Sequence, residues 1–252
     1  MRPNLTQQLL QKGQPAFGTM CNAASTLVVE TLGLSGYDFV IVDLQHGENN
    51  LDNAQVMFQA LGGTPATPFV RVAAGVPMYI QRALDLGAYG VIVPLVNNKA
   101  EAEQVVSSVR YAPQGTRSWG PVRGLLYGGA DYFSKSAEEL MTLVMIESAE
   151  GLKNVEDILG VDGVDGCFVG PMDLGISLGF SPDLPKLADE VEAAIARILA
   201  ATQAAGKFAG IHTTSVDDAK RRIAQGFRLV SVMADTRMMK AGAMQTLAAL
   251  KQ

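Results

Sequence analysis

At 252 residues, with 48% apolar and 18% charged residues, the chain fits one large α/β domain or two small ones with a well-filled core. Its net charge of −5 is spread without a basic stripe, no apolar run approaches the roughly 18 residues of a membrane span, and Cys21 and Cys167 stand apart in a chain with only two histidines. A nucleic-acid binder, a membrane protein, a disulfide scaffold and a zinc site are thereby set aside, and a soluble, cytoplasmic protein with two buried free cysteines is expected.

Short β-rich runs recur in chain order, at Ala16–Met20, Phe39–Asp43, Phe69–Val72, Val91–Pro94, Leu143–Ile146, Cys167–Gly170, Ala209–His212 and Leu229–Met233, each followed by a helical pattern. Near-continuous apolar strands alternating with helices read as parallel strands buried on both faces. Eight such units predict a (β/α)8 TIM barrel spanning 1–252 as a single domain, with a doubly wound sheet as the alternative. Helix punctuation agrees. Pro77 opens a segment with Ile80, Ala83 and Leu84 at helical spacing that Gly87 ends, and Ser215 precedes a run through Ala219, Ile223 and Ala224, with Asp218 as capping partner and Gly226 at its end.

Two intervals are long. Residues 111–141 hold Gly115, Gly120, Gly124, Gly128 and Gly129 and are expected to form a lid loop over the barrel mouth. Residues 174–186 hold Gly175, Gly179, Pro182 and Pro185 ahead of a helix starting near Leu187.

The unusual polar residues fall at strand ends. Glu147 follows Leu143-Val144-Met145-Ile146, Asp173 follows Cys167-Phe168-Val169-Gly170, and His46, Arg71 and His212 close the second, third and seventh runs. Singly, each has a plain structural reading: a helix cap for Glu147, a helix-dipole charge for Asp173, an ion pair for Arg71, a core imidazole for His46 and a packed residue on the Thr213–Ser215 turn for His212. Together they would converge on the strand-exit face of a barrel, where chemistry is carried.

Two carboxylates without nearby cysteine point to a hard cation, Mg²⁺ or Mn²⁺, with positions left for water and substrate. A 2-oxo acid suits such an ion, because its carboxylate and keto oxygens chelate it and the ion stabilises the enolate formed when a bond to C3 breaks. The rival strategy is a Schiff-base lysine at a strand exit. None of the nine lysines is placed there, Lys207 standing at the entry to the seventh strand. Phosphate binding is weakly signalled, because the loops after strands seven and eight lack glycines.

Six motifs in order carry a family resemblance: Asp43-Leu44-Gln45-His46-Gly47, Phe69-Val70-Arg71-Val72, Ala83-Leu84-Asp85-Leu86-Gly87-Ala88, Tyr111-Ala112-Pro113-Gln114-Gly115-Thr116-Arg117, Ile146-Glu147-Ser148-Ala149-Glu150-Gly151 and Gly170-Pro171-Met172-Asp173-Leu174. With them the chain resembles the HpcH/HpaI aldolases, the metal-dependent class II pyruvate aldolases, along nearly its whole length. The resemblance implies a divalent cation (Mg²⁺, Mn²⁺ or Co²⁺) on Glu147 and Asp173, and Arg71 at the pyruvyl oxygen. It also implies acid–base chemistry by His46 assisted by Asp85, and the pyruvate carboxylate on the backbone of Gly170, Pro171, Met172 and Asp173. Homohexamers are implied as well. Asp43 is expected to order water near His46, and His212 to face the aldehyde half. Gln45 and Gly175 depart from the homoprotocatechuate branch, which carries Glu and Ser at these places, so the aldehyde stays open. The reaction expected is cleavage or formation of a 4-hydroxy-2-oxo acid from pyruvate and an aldehyde. A CoA-ester lyase on the same scaffold and a noncatalytic 2-oxo-acid-binding barrel are the alternatives.

Overall fold

The computed structural model describes residues 1–183 and 186–251, so that Pro185 lies outside the described residues. A short helix α1 (Leu5–Gln11) precedes β1 (Ala16–Cys21), and the chain continues through α2 (Thr26–Leu34), β2 (Phe39–Asp43), α3 (Leu51–Leu61), β3 (Thr67–Arg71), α4 (Pro77–Asp85), β4 (Gly90–Val93) and α5 (Lys99–Val109). Next come α6 (Val122–Gly128), α7 (Tyr132–Glu139), β5 (Met141–Met145), α8 (Ala149–Lys153), α9 (Val155–Leu159), β6 (Gly166–Val169) and α10 (Pro171–Ser177). The rest is α11 (Asp189–Ala204), β7 (Phe208–Thr213), α12 (Val216–Gln225), β8 (Leu229–Ala234) and α13 (Asp235–Leu250). All eight strands are parallel and close into one barrel in sequence order, with β8 pairing back on β1. The doubly wound alternative falls with that closing pair.

Side-chain alternation sorts the apolar residues into two cores. Phe39, Ile41, Phe69, Ile92, Leu143, Met145, Phe168 and Leu229 fill the barrel. Val40, Val42, Val70, Val91, Val144, Cys167, Val169 and Ile211 face the helices. Inside, large residues lie over small ones: a Cβ on Gly18 would meet the Phe39 ring at 2.3 Å, and one on Gly90 the Phe69 ring at 2.6 Å. α1 closes the strand-entry end, with Leu10 in the barrel core and Thr6 Oγ1 donating to Asp38 O at 3.0 Å.

Local signals are mostly kept. α4 starts at Pro77, buries Ile80, Ala83 and Leu84, and is followed by Gly87 at φ +105°. α12 is capped by Ser215, whose side chain accepts from the Asp218 N–H at 3.1 Å, but the Asp218 carboxylate does not return to Ser215; it accepts from Arg221 Nη2 at 2.7 Å instead. Cys21 and Cys167 are both buried and free. No helix among the described residues is long and apolar enough to cross a membrane.

The interval 111–141 departs from expectation. It is not a loop over the mouth: it contains α6 and α7, and it lies between a helix and the next strand, which in a parallel barrel puts it at the strand-entry end. Its contacts agree. Arg123 donates from Nη1 to Leu86 O at 2.6 Å and from Nη2 to Phe58 O at 2.5 Å, capping the carbonyl ends of α4 and α3. Arg2 adds hydrogen bonds to Gly62 O and Thr64 O, and its backbone N–H donates to Gly128 O. The glycines that suggested a mobile cover serve close packing there, where Tyr132 lies against Gly124 and Gly128. At the other extreme of the chain, α13 leaves the barrel, with Met239, Met244, Leu247 and Leu250 all more than half exposed.

Candidate active site

The period-two alternation that fills the barrel also delivers the polar groups to its mouth. Phe39 and Ile41 lead inward to Asp43, Phe69 leads to Arg71, and Leu143 and Met145 lead to Glu147, two residues beyond the end of β5. Asp43 and Arg71 are cross-strand partners on β2 and β3. Arg71 donates from Nε to Asp43 Oδ1 at 2.8 Å and from Nη2 to Oδ2 at 2.6 Å, both side chains being buried. The fork fixes the guanidinium plane, and Nη1 has no acceptor among the described residues. Oδ1 of Asp43 also accepts from the N–H groups of Gln45 and His46, at 3.1 and 3.4 Å, so the carboxylate shapes the turn that carries the exposed His46.

Glu147 is buried and half satisfied. Its Oε1 accepts from the Leu95 N–H at 2.9 Å, while Oε2 has no partner among the described residues. Burial pushes its carboxyl up to about 7; the Leu95 N–H pulls it down, the nearby Asp173 charge pushes it up and Arg71 pulls it down. Asp173 is the third residue of α10, half-buried in the first turn after β6. Between the two carboxylates stands Gly170, where a Cβ would approach Glu147 Oε2 to 2.4 Å, so the free oxygen exists in its place only because this position has no side chain. No group of three or more His, Cys, Asp and Glu side chains that could hold a metal occurs among the described residues. The donor set is therefore two carboxylates, one of them offering the buried, unpartnered Glu147 Oε2, which fits a hard divalent cation that leaves positions open.

His46, Arg71, Gly170 and Asp173 line a cavity of about 250 Å³ together with Pro171, Met172, His212, Thr214 and Arg237, and Glu147 packs against its Gly170 wall. His212 projects from β7, and its Nδ1 is 2.7 Å from Oγ of Ser231, its cross-strand partner on β8. Burial lowers its pKa to about 4, helped by the Arg71 and Arg237 charges, so the ring is neutral at ordinary pH. A second cavity of about 530 Å³ continues outward past Met172, His212 and Thr214 to Asp217, Asp218 and Arg221. Among the described residues no lysine lines the mouth; the exposed Lys186 borders the outer cavity and a small pocket beside α10, and Lys207 donates to Val161 O and Val164 O beside the entry to β7.

His46, Arg71, Glu147, the Gly170–Asp173 turn and His212 are thus brought together, and Asp85 is not. It ends α4 at the strand-entry face and pairs with Arg117, whose Nη2 donates to its Oδ1 at 2.8 Å. An intrachain His46–Asp85 dyad is ruled out by this placement, because a helix that follows a strand ends beside the entry of the next one. Asp43, expected from the sequence only to order water near His46, is also the partner that holds Arg71. Thr214 and Arg237 also line the mouth and follow strand ends as the other residues do, but no sequence motif marks them, the loops after β7 and β8 lacking glycines.

A parallel barrel with a carboxylate pair, a fixed guanidinium and an imidazole at its strand-exit mouth defines an aldolase-type lyase. The profile of the HpcH/HpaI aldolase/citrate lyase family matches residues 17–241. The chain belongs to this family. It is 38% identical over 245 residues to a hydroxypyruvate/pyruvate aldolase of Rhizorhabdus wittichii, covering 97% of this chain and 98% of that one. It is 37% identical over 235 residues to a 5-keto-4-deoxy-D-glucarate aldolase of Shigella dysenteriae, covering 92% and 91%. Among solved structures, an HpcH/HpaI aldolase/citrate lyase family protein from Burkholderia cenocepacia superposes with a TM-score of 0.91 at 31% identity, over 98% of this chain and 99% of that one.

Proposed function

We propose that this protein is a divalent-cation-dependent pyruvate aldolase that cleaves, or forms, 4-hydroxy-2-oxo acids. The observation that carries the reading is the unpartnered Oε2 of buried Glu147, held against Gly170 in the wall of a mouth lined by Asp173 and Arg71. Glu147 and Asp173 would hold Mg²⁺, Mn²⁺ or Co²⁺, which when bound supplies Lewis-acid polarisation of the 2-oxo-acid oxygens. Arg71 turns Nη1 to the keto oxygen and donates more strongly as negative charge gathers there. The N–H groups of Met172 and Asp173, free in the first turn of α10, receive the carboxylate. His46 takes the proton of the C4 hydroxyl; the C3–C4 bond then breaks, releasing the aldehyde and leaving the electron pair on the pyruvyl fragment. Any contact between Asp85 and a catalytic imidazole would have to come from a second copy of the chain.

Removal of divalent cations should abolish pyruvate release from a hydroxy-oxo acid, and Mg²⁺, Mn²⁺ or Co²⁺ should restore it. Full activity in excess chelator, or trapping of substrate on a lysine by borohydride, would contradict the proposal. A CoA-ester lyase is disfavoured by the outer cavity, where Asp189, Glu192, Asp217 and Asp218 outnumber Lys186 and Arg221, a poor seat for a nucleotide tail. A noncatalytic barrel has no need of the exposed imidazole at the mouth.

The aldehyde half is assigned to the side of His212. His212→Leu should shift preference from hydroxylated toward apolar aldehydes while leaving pyruvate methyl-proton exchange within about fivefold, because a lost hydrogen bond acts on the half of the substrate it touches. Since the ring is neutral in the native protein, that preference should be flat from about pH 5 to 8. Comparing kcat/KM for a matched pair of aldehydes in both proteins decides it, an unchanged ratio assigning His212 to the scaffold.

The apolar side chains that α13 leaves exposed support association with further copies of the chain, and the family resemblance implies hexamers. Sedimentation equilibrium should return six chain masses; a monomer at micromolar concentration would refute assembly.

A further inference from the structure

Leu95, just beyond β4, has φ +54°, the left-handed region that residues bearing a Cβ rarely adopt. The residue is 53% exposed, so packing of the leucine does not account for the conformation. The backbone does. The Leu95 N–H donates to Glu147 Oε1 at 2.9 Å, and the next N–H, of Val96, donates to Met145 O at 3.3 Å. Leu95 O accepts from Asn97 Nδ2 at 2.9 Å, the Asn97 side chain hydrogen-bonds Ser148 at the head of α8, and Asn154 Nδ2 donates to Asn97 O at 2.8 Å. The turn after β4 is thus stitched along the segment after β5, with Glu147 in the middle of the seam. Unusual backbone of this kind persists only where surrounding contacts over-determine it, and such residues gather at functional sites.

The chemistry follows from which oxygen is engaged. A buried carboxylate with both oxygens free could chelate a cation through two atoms or rotate away from it. With Oε1 already accepting an N–H, the oxygen of Glu147 left wholly unengaged is Oε2, the atom for which Gly170 leaves room. One-oxygen ligation keeps coordination positions for the two oxygens of a 2-oxo acid.

We propose that Leu95 is a positioning residue, whose left-handed turn aims its backbone N–H at Glu147 and so fixes this carboxylate as a one-oxygen cation ligand. The inference rests on the cation reading given above and concerns a residue that touches neither substrate nor cation.

The test is Mn²⁺ binding to the apoprotein by calorimetry, without substrate. Replacing Leu95 by its α-hydroxy acid analogue changes one N–H to an ester oxygen and leaves the side chain intact; Mn²⁺ affinity should fall on the order of tenfold, the usual loss for a partner that orients a ligand. Leu95→Ile, a β-branched residue that avoids the left-handed region, should weaken binding similarly, whereas Leu95→Asn, which tolerates it, should stay within about twofold of the parent. Should Leu95→Ile fail to fold, the ester protein still decides. Unchanged affinity in the ester protein, or equal losses in the Ile and Asn variants, would overturn the role of Leu95. Absence of Mn²⁺ binding in the parent protein would instead overturn the cation reading itself.

Discussion

Glu147→Gln is expected to remove Mn²⁺ binding and to lower kcat/KM on the order of 10³-fold, while the fold keeps or gains stability. The amide has the shape of the carboxylate and can still accept from the Leu95 N–H, so the seam between the turns after β4 and β5 is retained. What disappears is the charge on a buried oxygen that has no partner of its own in the protein. In the apoprotein that charge is a liability, since the carboxyl stands at about 7 in the fold against an ordinary 4.5. The folded state therefore holds this proton more tightly than the unfolded chain does, and stability contributed by the group is present below pH 4.5 and lost as pH rises toward 7. The Gln variant should lack that loss. Melting temperatures of the two apoproteins measured at either end of the window, beside calorimetric titration with Mn²⁺, check both halves. Cation binding of parental strength in the variant would remove Glu147 from the ligand set.

Arg71→Lys preserves the charge and is expected to cost on the order of 10²-fold in kcat, more than it changes substrate affinity. Lysine cannot span both Asp43 oxygens while presenting a third donor to the mouth, so either the carboxylate or the substrate loses its partner. A buried ion pair broken on one side costs about 3–5 kcal/mol, and part of that loss should appear as a lower melting temperature. Steady-state kinetics with a hydroxy-oxo acid, together with thermal unfolding, separate the two effects. Near-parental turnover in a destabilised protein would make Arg71 purely structural.

The eight strands were legible in the sequence because a strand buried on both faces has no polar side and reads as an unbroken apolar run; the observed strands overlap every one of the expected runs. The mouth residues were legible for a related reason, since Arg71, Glu147 and His212 are polar breaks at the ends of such runs. Asp43 was harder to place. Pairing between neighbouring strands depends on register, which apolar runs do not encode, so its bond to Arg71 emerged only in the closed barrel. The segment 111–141 was misplaced through its glycines, which mark mobile loops and tight packing alike; its position after a helix and before a strand was the better guide. Asp85 was carried to the mouth by motif alone, although its place at the end of α4 puts it on the far face.

That far face gives the molecule a separable economy of change. Arg2, Arg117 and Arg123 bind α3, α4, α6 and the N-terminal segment to one another through carbonyls and Asp85, using no group at the mouth of the same chain. In laboratory evolution toward new aldehydes, substitutions at Thr214, His212 or Met172 therefore draw on a scaffold whose clasp lies a full strand length away. Selection for heat resistance can act on the clasp with the same independence, and variants gathered at the two ends should combine almost additively.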